Sequence, residues 1–313
     1  MKRKRILLAA IALLLLVALL QLDGAVLLHS LRQLPLWLMV VLLALQVVTQ
    51  LLVNLQWYGI AKLSRIPLSY RDALYANSLG AVVDSVAVKL GGEVTRAVQI
   101  SRIGPCSGEQ AAALVALQKL FSLSAMCGVL LFAVGHLPGL GAASLWVYGA
   151  LTLFLLGCGS LFRMPHRLKA YLQAWAPGNA GLRRLRGFLL TALHPLESAR
   201  QHKRAWALLA LLSLCIWLLY PAKLYVLVLP FYPQAHVMTV AAATFAAYMV
   251  AMLPIFPGGL GGFEATLTGL LAAMGMALSD AVVVTVFFRF ATFWFVLLLS
   301  LAYIGLRRAL GRV

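Results

Sequence analysis

Acidic residues are scarce in this chain: 8 Asp and Glu stand against 26 Lys and Arg in 313 residues. So thin and scattered an inventory excludes the clustered carboxylates of a metal-dependent transferase. Cysteine is nearly as sparse. Cys106, Cys127, Cys158 and Cys215 form no CxxC pair, three of them lie in apolar runs, and all four read as small buried hydrophobes. The histidines, His29, His136, His166, His194, His202 and His236, are dispersed over loops and form no metal-ligand cluster. There is no GxSxG elbow and no P-loop. Long polar stretches are missing too. The longest, about 163–204, is too short for a separate catalytic domain. The chain therefore does not read as an enzyme, and no cofactor is expected.

What is there is apolar. The composition is 63% hydrophobic and 11% charged, with a mean hydropathy of +0.95. These values belong to polytopic membrane proteins. A span needs about 20 apolar residues, and spans are expected at 6–22, 36–59, 109–135, 143–162, 205–229 and 281–305. The first follows MKRKR and has signal-peptide form, but LDGA is a poor cleavage site, so it reads as an uncleaved span. Two further apolar regions, 73–95 and 237–277, are interrupted by polar residues and glycines. Each reads as a re-entrant hairpin or as a pair of short, broken spans. The expected fold is an all-α integral membrane protein. It has about six full spans and two oppositely oriented broken hairpins, arranged as a single polytopic domain over 1–313.

The net charge of +18 invites a nucleic-acid reading, but the basic residues cluster at the ends of apolar segments. That is the positive-inside pattern with a basic face toward anionic lipid, so no nucleic-acid partner is expected. Lys2 to Arg5, Lys62, Arg65, Arg71, Arg96, Arg102, the basic loop 163–204 and Arg307, Arg308 and Arg312 fall on one side, leaving Arg32 on the other. Both termini then come out cytoplasmic. The first broken region opens from the cytoplasm and the second from outside, which is the pattern of inverted-repeat transporters. Tyr171 and Trp175 suggest an interfacial helix within 163–204. Trp57, Tyr58, Trp146, Tyr148, Trp206, Trp217, Phe231 and Tyr232 read as interfacial anchors.

The stretch PIFPGGLGGFE, Pro254 to Glu264, cannot be plain membrane helix, because proline removes a donor and glycine favours no one backbone state. Broken backbone at membrane depth belongs in buried or cavity-lining positions. Ionisable groups at that depth are costly and are usually paired or functional. They are Asp84, Lys89, Glu93, Lys119, Lys223, Glu264 and Arg289. Glu264 is placed to bond backbone donors at a helix start or to gate a cavity. Gly258, Gly259 and Gly261 before it can expose donors to an anion. Arg289 is expected to pair with Glu264 or Asp84, or to hold a phosphate. Glu93 and Arg96 share a helix face after the breakers Gly91 and Gly92. Lys119 and Lys223 either face inward or snorkel.

Taken together, KLGGEVTRAVQISR and PIFPGGLGGFEATLTGLL resemble the membrane half of lysylphosphatidylglycerol synthases and the stand-alone flippase-like proteins of that superfamily. The matching positions are Gly92, Glu93 and Arg96, then Pro257, Gly258, Gly259, Gly261 and Glu264, with Arg289 in the last span. The chain departs from the pattern at Val88-Lys89-Leu90, where many relatives carry a proline, and at Gln118-Lys119, where relatives often carry an acidic-basic pair. The sequence ends at Val313, where the synthases continue into an aminoacyl-transferase domain, so this chain is not expected to make lysyl-lipid itself. The resemblance implies a lipid flippase of the bacterial inner membrane acting on anionic or phosphate-bearing lipid. Arg96, Arg289 and Lys89 would hold the head group in a net-basic cavity, and Glu93 and Glu264 would pair with those cations between loads. Glu264 and Asp84 are the groups through which a proton could couple, and the residues leave coupled and uncoupled transport both open. The alternative is a non-transporting accessory subunit that docks a lipid-modifying enzyme through 163–204.

Overall fold

The computed structural model describes residues 34–86, 90–139, 141–198, 202–253 and 257–311. The expected first span at 6–22 and Lys89 lie outside the described residues. Among those described, every regular element is helical. Five stretches are long and apolar enough to cross a membrane. They are α1 (Leu36–Leu63), α4 (Gly108–Ala133), α5 (Ala143–Arg163), α8 (Lys203–Val228) and the last span. That span runs as α11 (Leu278–Arg289), a π-helical turn (Phe290–Trp294) and α12 (Phe295–Ala309). Each coincides with an expected span. α4 starts where the sequence says it should: Ser107 Oγ accepts from the Gln110 amide and the Gln110 side chain accepts from the Ser107 amide. This reciprocal capping box fixes the helix N-terminus.

The two interrupted regions are antiparallel helical hairpins. The first pairs α2 (Tyr70–Val86) with α3 (Leu90–Ile103), and the second pairs α9 (Val237–Met252) with α10 (Gly262–Ala273). Their pairing follows one register each. Asp84 lies against Gly92 and Gly80 against Arg96. Gly259 lies against Ala251, and the Tyr248 and Phe263 rings meet at 5.0 Å. At ~1.5 Å per residue these helices run roughly 18–26 Å, short of the ~30 Å hydrocarbon core. The tips meet. Gly258, in the short 3-10 turn Pro257–Gly259, abuts the Ser85 carbonyl at the end of α2.

α6 (Pro165–Ala174) and α7 (Ala180–Ser198) fill the basic loop. Leu172, Leu193 and Leu196 are buried while Tyr171, Arg183 and Arg184 stay exposed, as an interfacial amphipathic pair requires. Arg186 is structural: it donates to the carbonyls of Leu172 (2.7 Å) and Gln173 (2.9 Å), closing the end of α6. Basic residues gather at this end of the molecule. The described connections at the opposite end, 134–139, 141–142, 229–236 and 274–277, contain no Lys or Arg.

Two apolar cores, one at each end, flank a third in which α4, α5, α8 and α9 pack around Met126, Leu151, Trp217 and Phe245. One packs α1, α8, α9, α10 and α11 around Leu38, Leu42, Phe263 and Phe288. The other packs α1, α2, α3, α4, α7 and α8 around Trp57, Ile60, Leu114 and Phe121. α1 serves both, and between its two apolar ends it buries Gln46, Thr49, Asn54 and Gln56. Three expected anchors belong to these interiors. Trp57, Trp206 and Trp217 are buried, and Trp217 Nε1 donates to Ser122 Oγ at 2.9 Å. Trp146 is exposed as expected.

Candidate functional site

The first hairpin builds an ion cluster around Arg96. Its Nε donates to Asn77 Oδ1 (3.1 Å), one amino group meets Asp84 at 2.9 Å and the other meets Glu93 at 3.2 Å. Lys119 of α4 closes the cluster on Glu93 at 2.5 Å. Close approach of the two helices makes this possible. A Cβ on Gly92 would fall 2.1 Å from Asp84 Oδ1, and one on Gly80 would fall 2.5 Å from Arg96 Cγ. Gly91 and Gly92 therefore do not break the helix, which already begins at Leu90. Gly92 makes room for a carboxylate. Lys119 of α4 finds its carboxylate on the hairpin.

The second hairpin builds a smaller cluster. Glu264 uses both oxygens: Oε2 accepts from the Gly261 amide (2.7 Å) and Oε1 from Arg289 Nε (2.8 Å). The helix-start role and the ion-pair role expected for Glu264 thus coexist. Arg289 also donates to the Gly258 carbonyl (2.6 Å) and lies over the Phe263 and Phe293 rings. Gly258, Gly259 and Gly261 all have positive φ, 62°, 73° and 83°, a region that L side chains rarely adopt. The turn offers Arg289 a carbonyl, and the Gly261 amide is already bonded to Glu264.

Two polar cavities lie beside these clusters. One, about 210 Å³, is lined by Gln50, Asn77, Asp84, Ser85, Arg96, Tyr220, Thr292 and Phe293. The other, about 160 Å³, is lined by Gln56, Asn77, Glu93, Arg96, Gln118, Lys119, Trp217 and Tyr220. Val53, Asn77, Arg96 and Tyr220 line both. The π-turn follows Arg289 directly and brings Thr292 and Phe293 to the first cavity, a use of π-turns common at functional sites. Asp84 Oδ1 and Glu93 Oε2 are buried without a hydrogen-bond partner.

Of the residues expected to form one site, Asp84, Glu93 and Arg96 line the cavities. Glu264, Arg289 and Gly258 sit behind Phe293, and Lys89 lies outside the described residues. The charged groups on the cavity walls, Asp84, Glu93, Arg96 and Lys119, balance, so the walls are not net basic. Sequence reading missed the contribution of α1. Gln46, Gln50 and Asn54 recur every four residues within an apolar span, a spacing that puts amides on one helix face. Gln118 Nε2 donates to Gln56 Oε1 at 3.1 Å, and Gln56 bonds Ser213 of α8. Tyr220, common to both cavities, carries no such sequence signal.

All these elements lie within a stretch that a family model covers almost end to end. The model is that of the lysylphosphatidylglycerol synthase TM region, and it matches residues 5–300. A search of curated proteins returns no match. The matched stretch holds both hairpins, Arg96, Glu264 and Arg289, and the chain belongs to the lysylphosphatidylglycerol synthase transmembrane family, a multi-pass membrane protein related to lipid modification.

Proposed function

We propose that this protein moves a lipid with a phosphate-bearing polar head between the leaflets of a bacterial inner membrane, with the basic end in the cytoplasm, and that it is a transporter and not an enzyme. The observation that carries this reading is Arg96. It is a buried guanidinium set where two oppositely directed hairpins meet, and it lines both polar cavities. Arg96 and Lys119 supply paired donors for a phosphate. Asp84 and Glu93 hold those donors in ion pairs. A head group would displace them, and the unpartnered oxygens of Asp84 and Glu93 would accept from its hydroxyl or amine hydrogens. The tips bury backbone that cannot face lipid, and acyl chains would stay in the bilayer while the head passes.

The test is lipid movement in proteoliposomes. Head-group-labelled phosphatidylglycerol and phosphatidylcholine are reconstituted with wild type, Arg96→Ala and Asp84→Asn, and outer-leaflet label is quenched over time. Wild type is expected to expose inner-leaflet label, and Arg96→Ala is expected to lose that activity. Equal quenching in wild type, variants and protein-free liposomes refutes the reading, and supports an accessory role in which 163–204 docks a lipid-modifying enzyme.

A further inference from the structure

Lys223 is unlike the other charged groups inside the spans. It is completely buried on α8, and among the described residues no carboxylate forms an ion pair with it. Its ammonium donates to Gln46 Oε1 and to Thr49 Oγ1 (3.2 Å) and rests 4.3 Å from the Tyr220 ring centroid. All three neighbours are neutral. The helices packed on α8 are α1, α4, α9 and α11. From α4, Lys119 is held by Glu93; from α11, Arg289 is held by Glu264. From α9, Tyr248 meets Tyr220 edge-on at 5.1 Å. Tyr58 and Lys62 of α1, Glu109 of α4 and Asp280 of α11 sit toward helix ends.

The surroundings suit a group that changes charge. A neutral amine keeps two donors for Gln46 Oε1 and Thr49 Oγ1 and needs no counter-ion. Gln46 Nε2 is buried without a partner, so a turn of that amide would offer a donor to the amine lone pair. Asp84 and Glu264, by contrast, are each paired with an arginine that stays charged. Tyr220 places Lys223 next to the transport route, because the ring under the ammonium also lines both cavities.

We propose that Lys223 is a proton-binding site that couples lipid movement to the transmembrane proton gradient. This rests on the function proposed above. When Tyr220 moves and the cavities wet the amine, its lone pair takes one proton from water. Before the neutral neighbours close around it again, the ammonium gives that proton to the water leaving the cavity, and the amine is enclosed neutral. A proton bound from one side and released to the other ties the lipid cycle to the gradient.

Two measurements on the full chain test this. In the first, protein in detergent at pH 8 is unfolded with SDS beside a pH dye. Wild type is expected to take up about one proton more than Lys223→Met or Lys223→Arg; equal uptake overturns the proton site. In the second, liposomes with a one-unit pH gradient are compared with gradient-free ones. For one proton per lipid, the leaflet distribution of labelled lipid in wild type shifts by up to about tenfold, and the variants, checked for folding by gel filtration, show no shift. Lipid movement that ignores the gradient, or responds equally in Lys223→Met, overturns the coupling and leaves the lipid-moving function standing. No lipid movement in wild type overturns that function and the coupling with it, and the proton count then decides the proton site alone.

Discussion

Glu264→Gln is a sharper probe than its small change in shape suggests. The carboxylate accepts two hydrogen bonds in different directions, from Arg289 Nε and from the Gly261 amide. An amide has one acceptor oxygen. If that oxygen keeps Arg289, the amide nitrogen points its donors at the Gly261 N–H, and the α10 cap is lost. If it keeps Gly261, the donors face a guanidinium whose side chain is only 7% exposed. One satisfied donor disappears either way, worth about 1–3 kcal/mol when left buried. The loss of charge sets the total and includes that donor, since breaking a buried pair from one side costs about 3–5 kcal/mol, with the neutral amide at the low end. We expect Glu264→Gln to destabilise by about 3 kcal/mol. Arg289→Met should cost a similar amount, because it strands the carboxylate and the Gly258 carbonyl. The double variant strands neither charge, so its loss should fall short of the sum by about 2 kcal/mol. The assay is reversible SDS unfolding in mixed micelles, followed by circular dichroism. Single variants within about 0.5 kcal/mol of wild type, or an additive double variant, would refute the argument that this pair holds the second hairpin.

Gly92→Ala drives a methyl into the Asp84 carboxylate and is expected to cost about 1–3 kcal/mol, whereas Gly269→Ala, with open space around it, should be neutral in the same unfolding assay. Gln56→Leu leaves Gln118 and Ser213 without their shared partner and should cost about 1–3 kcal/mol, with Gln56→Glu failing to rescue. At the basic end, Arg307 bonds Asp72 at 2.5 Å. Burial raises the Asp72 pKa, but the Ser69 hydroxyl and Arg307 more than offset this and leave it below 3.8. A depressed carboxylate contributes stability above its unfolded pKa and loses it as pH falls through the folded value. The Asp72 contribution should therefore be constant above about pH 5 and vanish at lower pH. Melting curves from pH 3 to 6 should show a steeper acid limb in wild type than in Asp72→Asn; parallel curves would contradict it.

Hydropathy, glycine placement and charge bias determine much of this protein without any structure. Apolar runs of span length leave few alternatives to membrane helices, since every backbone group in lipid must be satisfied internally. Interrupted runs such as 73–95 and 254–264 announce broken elements, and the i,i+3 spacing of Glu93 and Arg96 announces a pair. Tertiary structure decided which long-range partners meet. Arg289 pairs with Glu264, 25 residues away, through the packing of α10 on α11, while Asp84 goes to Arg96 through the first hairpin's register, set by the close contact at Gly92. Tertiary structure also put Arg96 in both cavities and Arg289 behind Phe293, because tip-to-tip packing of the hairpins turns their inner faces unequally toward the same space. Lys223 shows the division most clearly. Sequence located a lysine inside a span. Only the packing of α1 and α8 showed that it is dry and faces neutral oxygens, because whether a long side chain snorkels or stays buried depends on what covers it.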